Sequence, residues 1–455
     1  MPTPSRPYAP RHLDGILREL LEGVGAVLLQ GAKAVGKTAT AQRLAARTVR
    51  LDRPAEADVV RADPASAVRP PFPVFFDEWQ HVPALLDEVR IRIDDDPTPG
   101  LALLAGSAAP PAGAQPTHTG AGRIVVRRMR PLTIAERLGA DAASRATSAS
   151  RDTVHETLRD TERVSVRALL SGTRPPVSGA SPWRLTDYAR EIAASGFPAL
   201  RALPPRVRHA QLDSYVEHLL TRDVEEATGA SANPATLRRW LTAYAAATAT
   251  SASLEKVRDL ASAGDGATPA KTTALRYRDA LERLFILDPV PAWKPGGKAI
   301  SRLGDGPSLH LVDPALACHL LGVDEDALMD GASSPLVDAL GSIRDGGLFG
   351  ALFESLVVQS LRTYADVAEV GHYHVRTHGG DREIAGLLLR RDHRCVAYEV
   401  KLSSTVGDAD VRHLRWLREQ LGDQLLDCLV INTGPEAYRR RQDGIAVVPA
   451  AMLVP

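Results

Sequence analysis

The 455-residue chain is poor in cysteine, aromatics and net charge. Its three cysteines (Cys318, Cys395 and Cys428) are scattered and odd in number, which excludes a disulfide framework and leaves no zinc-ligand spacing. Lys+Arg and Asp+Glu balance at 55 each, so overall charge draws the chain neither to nucleic acid nor to an anionic membrane; a local basic patch stays open. No run approaches the roughly 20 apolar residues that span a bilayer. The opening MPTPSRPYAPRHLDG lacks the apolar core of a secretion signal. A reducing cytoplasm fits these absences best. The length exceeds what one core holds and suggests roughly two to four domains.

What is present begins with alternation. Leu13, Ile16, Leu17, Leu20 and Leu21 have helical spacing over 11–23. A short apolar run at 25–30 predicts a buried strand, followed by a glycine-bounded loop and a helix over about 37–46. Further apolar runs at 72–76 and 101–104 end in Asp77-Glu78 and in Ala-Gly-Ser-Ala. Strands alternating with helices predict a parallel sheet covered on both faces. Residues 108–122, rich in Pro, Gly and Thr, predict a mobile loop. Residues 138–180 predict a loose linker with short helices. From 183 to 290 the pattern is helical, ending near strands at 286–287 and 309–312, as in a winged helix. From 347 a last α/β unit has a helix and strands at 372–377, 384–390, 395–400 and 428–432.

The segment Gly31-Ala32-Lys33-Ala34-Val35-Gly36-Lys37-Thr38 fits the phosphate-loop pattern G-x-x-x-x-G-K-[ST]. Gly31 and Gly36 allow backbone angles that side chains resist, so that successive N–H groups turn inward on phosphate oxygens. Lys37 reaches the β- and γ-phosphates, and Thr38 offers a hydroxyl to magnesium. Some forty residues on, Asp77 and Glu78 close an apolar strand. Asp77 is placed to hold magnesium through water and Glu78 to polarise the attacking water; the bland alternative is a solvated turn. The expected ligands are thus ATP and Mg2+. Ser107, after Leu-Leu-Ala-Gly, either senses the γ-phosphate or only follows a glycine turn. Arg123 is a candidate arginine finger for a neighbouring subunit, with Arg127, Arg128 and Arg130 equally basic and a surface strand edge the alternative.

The combination of GAKAVGKT, VFFDEWQ, LLAGSA and TGAGRIVVRRMRPLTIAER, followed by SGFPAL, YVEHLLTRDV, YRDALERLFILDPVPAW, LHLVDPALACHLL and LFESLVVQSL, resembles bacterial and archaeal AAA+-like ATPases that end in DUF4143, a domain of unknown function. The resemblance covers nearly the whole chain. It implies an α/β P-loop ATPase domain over 1–140, a linker and lid-like helical region over 141–230, a winged-helix-like region over 231–330, and a restriction-endonuclease-like domain over 331–455. Where the family often has Pro-Arg in the phosphate loop, this chain has Ala32-Lys33; neither position is needed for phosphate contact.

A PD-(D/E)xK nuclease site needs an Asp at one strand start, E-x-K on the next strand and often a helix Glu, so that carboxylates hold magnesium and Lys steers water. Glu399-Val-Lys401 supplies the pair on one strand face, and Glu354 lies on the helix. The family's E-[IV]-D is here Glu383-Ile384-Ala385, so one metal carboxylate is missing, with Asp381 and Glu383 nearby. The preferred reading is a degenerate site in a domain that contacts DNA or a protein. Gln80 either links nucleotide state to a neighbouring element or starts a helix at the surface. His372 and His374 share a strand face without a third ligand, and Arg238 and Arg239 either touch phosphates or line a solvated helix face. The chain is thus expected to be a cytoplasmic ATPase, possible as a homo-oligomer, coupling ATP to DNA or a protein. An ATP-regulated nuclease and a non-hydrolysing scaffold are the alternatives.

Overall fold

The computed structural model describes residues 8–108, 122–146, 163–229, 231–262, 269–295, 303–304, 306–331, 333, 335–339 and 347–455. The N-terminal apolar runs form β1 (Ala26–Gln30), β2 (Arg47–Arg50), β3 (Val74–Asp77), β4 (Ala102–Gly106) and β5 (Ile124–Arg128), all parallel, in the order β2-β3-β4-β1-β5. β3 and β4 are buried along their whole length, as strands covered on both faces must be. On one face Val27, Leu29, Phe75 and Leu103 pack against Leu13, Leu17 and Leu21 of α1 (Leu13–Gly23). On the other, Leu28, Val74, Phe76 and Leu104 meet α3 (Pro54–Ala62) and α4 (Ala84–Asp95) through Val60, Leu85 and Val89. The helix after the phosphate loop, α2 (Lys37–Gln42), is shorter than its pattern suggests. α5 (Ile134–Ala146) follows β5. The linker expected over 138–180 lies partly outside the described residues, as does most of the loop expected at 108–122.

The middle part is helical. α6 (Pro205–His218) runs into a π-helical turn, Leu219–Asp223, and α7 (Pro314–Leu321) packs beside it. Leu237, Trp240, Leu241, Tyr244, Tyr277 and Leu281 fill its core. The expected strands at 286–287 and 309–312 are present only as isolated bridges, Leu287↔Leu311 and Val290↔Ser308. Backbone bonds run from the Asp288 N–H to His310, both ways between Val290 and Ser308, and from the Val312 N–H to Ile286, while Pro289, Pro291 and Pro307 fall at the positions between, where no N–H is called for.

The C-terminal domain is a mixed sheet of β6 (Gly371–Arg376), β7 (Glu383–Leu389), β8 (Cys395–Val400), β9 (Leu425–Asn432), β10 (Tyr438–Arg439) and β11 (Ala446–Pro449), in the order β10-β11-β9-β8-β7-β6. β8, β9 and β11 run parallel, while β6, β7 and β8 are antiparallel neighbours. α8 (Gly347–Val367) covers one face and α9 (Asp408–Leu421) the other.

Several sequence motifs prove to be joints. Asp313 caps α7 through the Ala315 N–H and accepts bonds from the Ser195 hydroxyl at 2.8 Å and the Gly196 N–H at 2.7 Å. Gly196 is required because a Cβ there would lie 2.6 Å from the buried Arg137 guanidinium. Arg137 in turn donates to the Leu132 and Glu191 carbonyls and to Gln359 of α8, joining the three parts. No helix among the described residues is long and apolar enough to cross a membrane.

Candidate functional site

The phosphate loop leaves β1 at the carboxyl end of the sheet. Gly36 has φ of 104° and Ala34 φ of 70°, the left-handed angles that turn successive N–H groups to one side. Gly31 passes so close to β5 that a Cβ would sit 2.2 Å from the Met129 carbonyl oxygen. Ala32 and Val35 are fully buried beneath the loop. Arg11 fixes the loop from behind, donating to the Val35 carbonyl at 2.9 Å and the Arg130 carbonyl at 2.6 Å.

The Lys37 ammonium folds back onto the Gly31 and Ala32 carbonyls at 2.8 and 3.0 Å. Burial pushes its pKa down to about 8, and the nearby Glu78 and Asp77 carboxylates oppose that shift. The Thr38 hydroxyl donates to both Asp77 oxygens at 3.0 Å. Burial holds the Asp77 carboxyl above its ordinary range. This half-buried hydroxyl and buried carboxylate, side by side, are the donor set a magnesium ion takes, and the loop fits the phosphates that would share it.

Glu78 adopts left-handed φ, ψ of 54° and 51°, an uncommon conformation for a non-glycine residue and costly by roughly 1–3 kcal/mol. Its carboxylate accepts from the Ser107 hydroxyl at 2.8 Å and from Gln80 Nε2 at 2.5 Å. Ser107 and Gln80 therefore both position Glu78. This carboxylate lines a cleft of about 580 Å³ whose other walls include Lys33, Asp223, Glu226 and Leu284. Lys33 pairs with Asp223, at the end of the π-helical turn, across 2.7 Å. Thus the phosphate loop is held directly by the middle part.

Arg123 is elsewhere. It immediately precedes β5, whose first residue pairs with Ala26, so it lies level with the start of β1 and at the opposite end from the loop. There it pairs with Asp94 of α4. The structure does not bring it to the phosphate loop of its own chain. Arg127 lies 3.9 Å from Glu369. Arg128 and Arg130 turn inward to Asp288, at 3.0 and 2.8 Å, where Arg362 of α8 joins them at 3.0 Å. Arg130 also pairs with Asp366. The three guanidiniums hold the Asp288 carboxyl far below the ordinary range despite its burial.

In the C-terminal domain, β6 and β7 shift register between Tyr373 and Val375, so that Ala385 and Gly386 together oppose His374. This bulge puts Ala385 in the core of Val396, Tyr398 and Val400, on the α8 side. A Cβ on Gly386 would lie 2.1 Å from the Tyr398 ring, which occupies that ground. Glu399 alternates with Cys395 and Ala397, which pack toward α9, and Lys401 follows on that face. Glu354 is buried on α8 across the sheet. Glu383, at the start of β7, lies 3.4 Å from the Ser251 hydroxyl. His372 bonds Tyr398 and His374 bonds the Gly306 carbonyl, so the two histidines do not converge. Arg238 pairs with Glu217 at the surface.

Sequence reading missed Arg11, Asp223 and Asp288. The Arg-Asp pair of TRDV and the aspartate of FILDPVP stand inside motifs already quoted, but no spacing rule links them to the phosphate loop.

A phosphate loop, a threonine-aspartate pair and an adjacent glutamate at the ends of parallel strands define a nucleotide-binding protein of the P-loop class. Comparison with known proteins narrows this: residues 24–138 match the AAA domain and residues 349–453 match DUF4143, so the chain carries an N-terminal AAA domain and a C-terminal DUF4143 domain. Between them, residues 185–327 match another domain of unknown function, DUF8612. The chain is 27% identical over 447 residues to the uncharacterized proteins Mb2031c of Mycobacterium bovis and Rv2008c of Mycobacterium tuberculosis, covering 96% of this chain and 83% of each relative. It is also similar to the Walker-type ATPase PABY2304 of Pyrococcus abyssi, with 14% identity and a TM-score of 0.38 over 70% of this chain and 98% of that one. That likeness is too partial to bear on fold or activity.

Proposed function

We propose that the chain is a magnesium-dependent ATPase whose nucleotide state acts on its middle and C-terminal parts. The observation that carries this reading is the convergence of Lys37, Thr38, Asp77 and Glu78 at the ends of β1 and β3. Lys37 and the inward N–H groups bind the phosphates. Thr38 and Asp77 hold the magnesium, which when bound neutralises charge on the phosphate oxygens. Glu78, held by Ser107 and Gln80, orients the water for attack and draws its proton. The link to the rest of the chain runs along two routes. Lys33 of the loop pairs with Asp223 of the middle part, and Arg128 at the end of β5 and Arg130 just beyond it share Asp288 with Arg362 of α8.

The C-terminal part then serves as a nuclease-like fold that grips DNA or a protein rather than cutting. Supporting this, Ala385 replaces the family's metal carboxylate and the β7 bulge faces it away from Glu399. Phosphate release measured with and without DNA is the test. The wild type is expected to turn over ATP. Lys37→Ala should weaken ATP binding by roughly 10–100-fold, while Glu78→Gln should bind ATP normally and lose about 100-fold or more in turnover. Equal nucleotide binding by wild type and Lys37→Ala would end this reading. Binding without any phosphate release would favour a nucleotide-binding scaffold.

A further inference from the structure

Far from the phosphate loop's magnesium pair, α6 carries His209 and Asp213 one helical turn apart, on one face. His319, in the last turn of α7, meets them there. Its Nε2 is 3.0 Å from one Asp213 oxygen, and His209 Nε2 is 3.7 Å from the other. The two imidazoles stand edge to face with centroids 4.8 Å apart. One ligand atom from each of the three residues lies within 4.8 Å of the others.

Bonds of about 2.0–2.2 Å around a tetrahedral cation require ligand atoms roughly 3–3.5 Å apart. The remaining closure falls to the two mobile side chains: His209 and Asp213 are 68% and 59% exposed, whereas His319 is fixed at 6%. The open side faces a cleft of about 290 Å³ lined by Arg208, Asp324, Glu325 and Asp326. A plain histidine-aspartate ion pair is the competing explanation. It accounts for one imidazole, whereas His209 and His319 each turn a ring nitrogen toward a different oxygen of Asp213. The other ring nitrogen of His319, Nδ1, is buried with no hydrogen-bond partner, so Asp213 is the polar anchor that orients this ring.

We propose that His209, Asp213 and His319 form a binding site for a borderline divalent cation, zinc foremost, that staples α6 to α7. Two imidazoles and one carboxylate suit zinc, cobalt or nickel, whereas magnesium and calcium favour all-oxygen sites. The staple sits on the helix that continues into the π-helical turn and Asp223, the partner of Lys33. Binding does not depend on ATP hydrolysis.

The test is calorimetric titration of the chelator-stripped full chain with zinc chloride in the absence of nucleotide. The wild type should show a saturable site. His209→Ala and Asp213→Asn, both at exposed positions, should each weaken it by roughly tenfold or more. Zinc should also raise the wild-type Tm and leave that of His209→Ala unchanged. Cobalt should give visible absorption bands in the wild type that His209→Ala loses. No saturable zinc binding, or wild-type affinity in both variants, overturns the proposal.

Discussion

The two sheets of this chain differ in what the ends of their strands bring together. In the N-terminal sheet all strands run one way, and β1 and β3 both pair with β4 at Ala102, so their carboxyl ends finish level on either side of β4. The loops beyond them must converge: Thr38 bonds Asp77, Ser107 bonds Glu78, and the Lys37 ammonium feels the charge of both carboxylates. In the C-terminal sheet β6, β7 and β8 run alternately and β7 is bulged. There Ala385 faces the α8 side while Glu399 and Lys401 share the face of Ala397 toward α9. Both sheets carry a lysine and carboxylates at motif spacing. Spacing along a chain becomes a site only where strand direction and register deliver the residues to one point.

The buried charges between the sheets offer the largest break in this comparison. Asp288 pairs with Arg128, Arg130 and Arg362 at the meeting of all three parts. Asp288→Ala leaves those guanidiniums buried without it, and should cost about 3–5 kcal/mol. Thermal unfolding should then separate the N-terminal sheet from the rest, seen as an early transition that ATP alone shifts upward. A single transition at the wild-type Tm would show that the joint carries little energy.

A smaller effect sharpens the account of the N-terminal site. Burial keeps the free Lys37 at a pKa of about 8. A bound phosphate favours the ammonium and raises that value, so above pH 8 ATP binding takes up a proton. Affinity should hold steady below pH 8 and fall as pH rises, approaching tenfold per unit. Calorimetry at pH 9 in two buffers of different ionisation enthalpy reads the proton directly. Flat affinity from pH 7 to 9.5 would refute it.

The smallest effect concerns the far sheet. Lys401→Ala should leave ATP turnover within about twofold of wild type, and no magnesium-dependent cutting of DNA or RNA should be found to lose. Cutting by the wild type that vanishes in this variant would make the C-terminal sheet a working nuclease after all.

The strands of the N-terminal sheet were legible because buried parallel strands are continuous apolar runs, and VFFD and ALLAG are such runs. The middle part's helices were legible from their periodicity, and its two short apolar runs at 286–287 and 309–312 do face each other, as isolated bridges. Arg123 looked as available as Arg128. Only the pairing of β5 with β1 puts Arg123 at the far end of the sheet and sends Arg128 inward. Ala385 was visible as a lost carboxylate, but the bulge that turns it to the other face depends on β6 and left no mark in the local pattern.

By itself the sequence determined the phosphate loop, because residues 31–38 make that cradle from their own backbone and the glycines it needs are in place. It also determined that an acidic pair ends the neighbouring apolar strand. Tertiary structure decided the rest: that Ser107 and Gln80 hold Glu78, that Asp223 takes Lys33, and that one aspartate ties three parts together. Those contacts join residues up to 190 positions apart, and only packing and strand register set the distances between them.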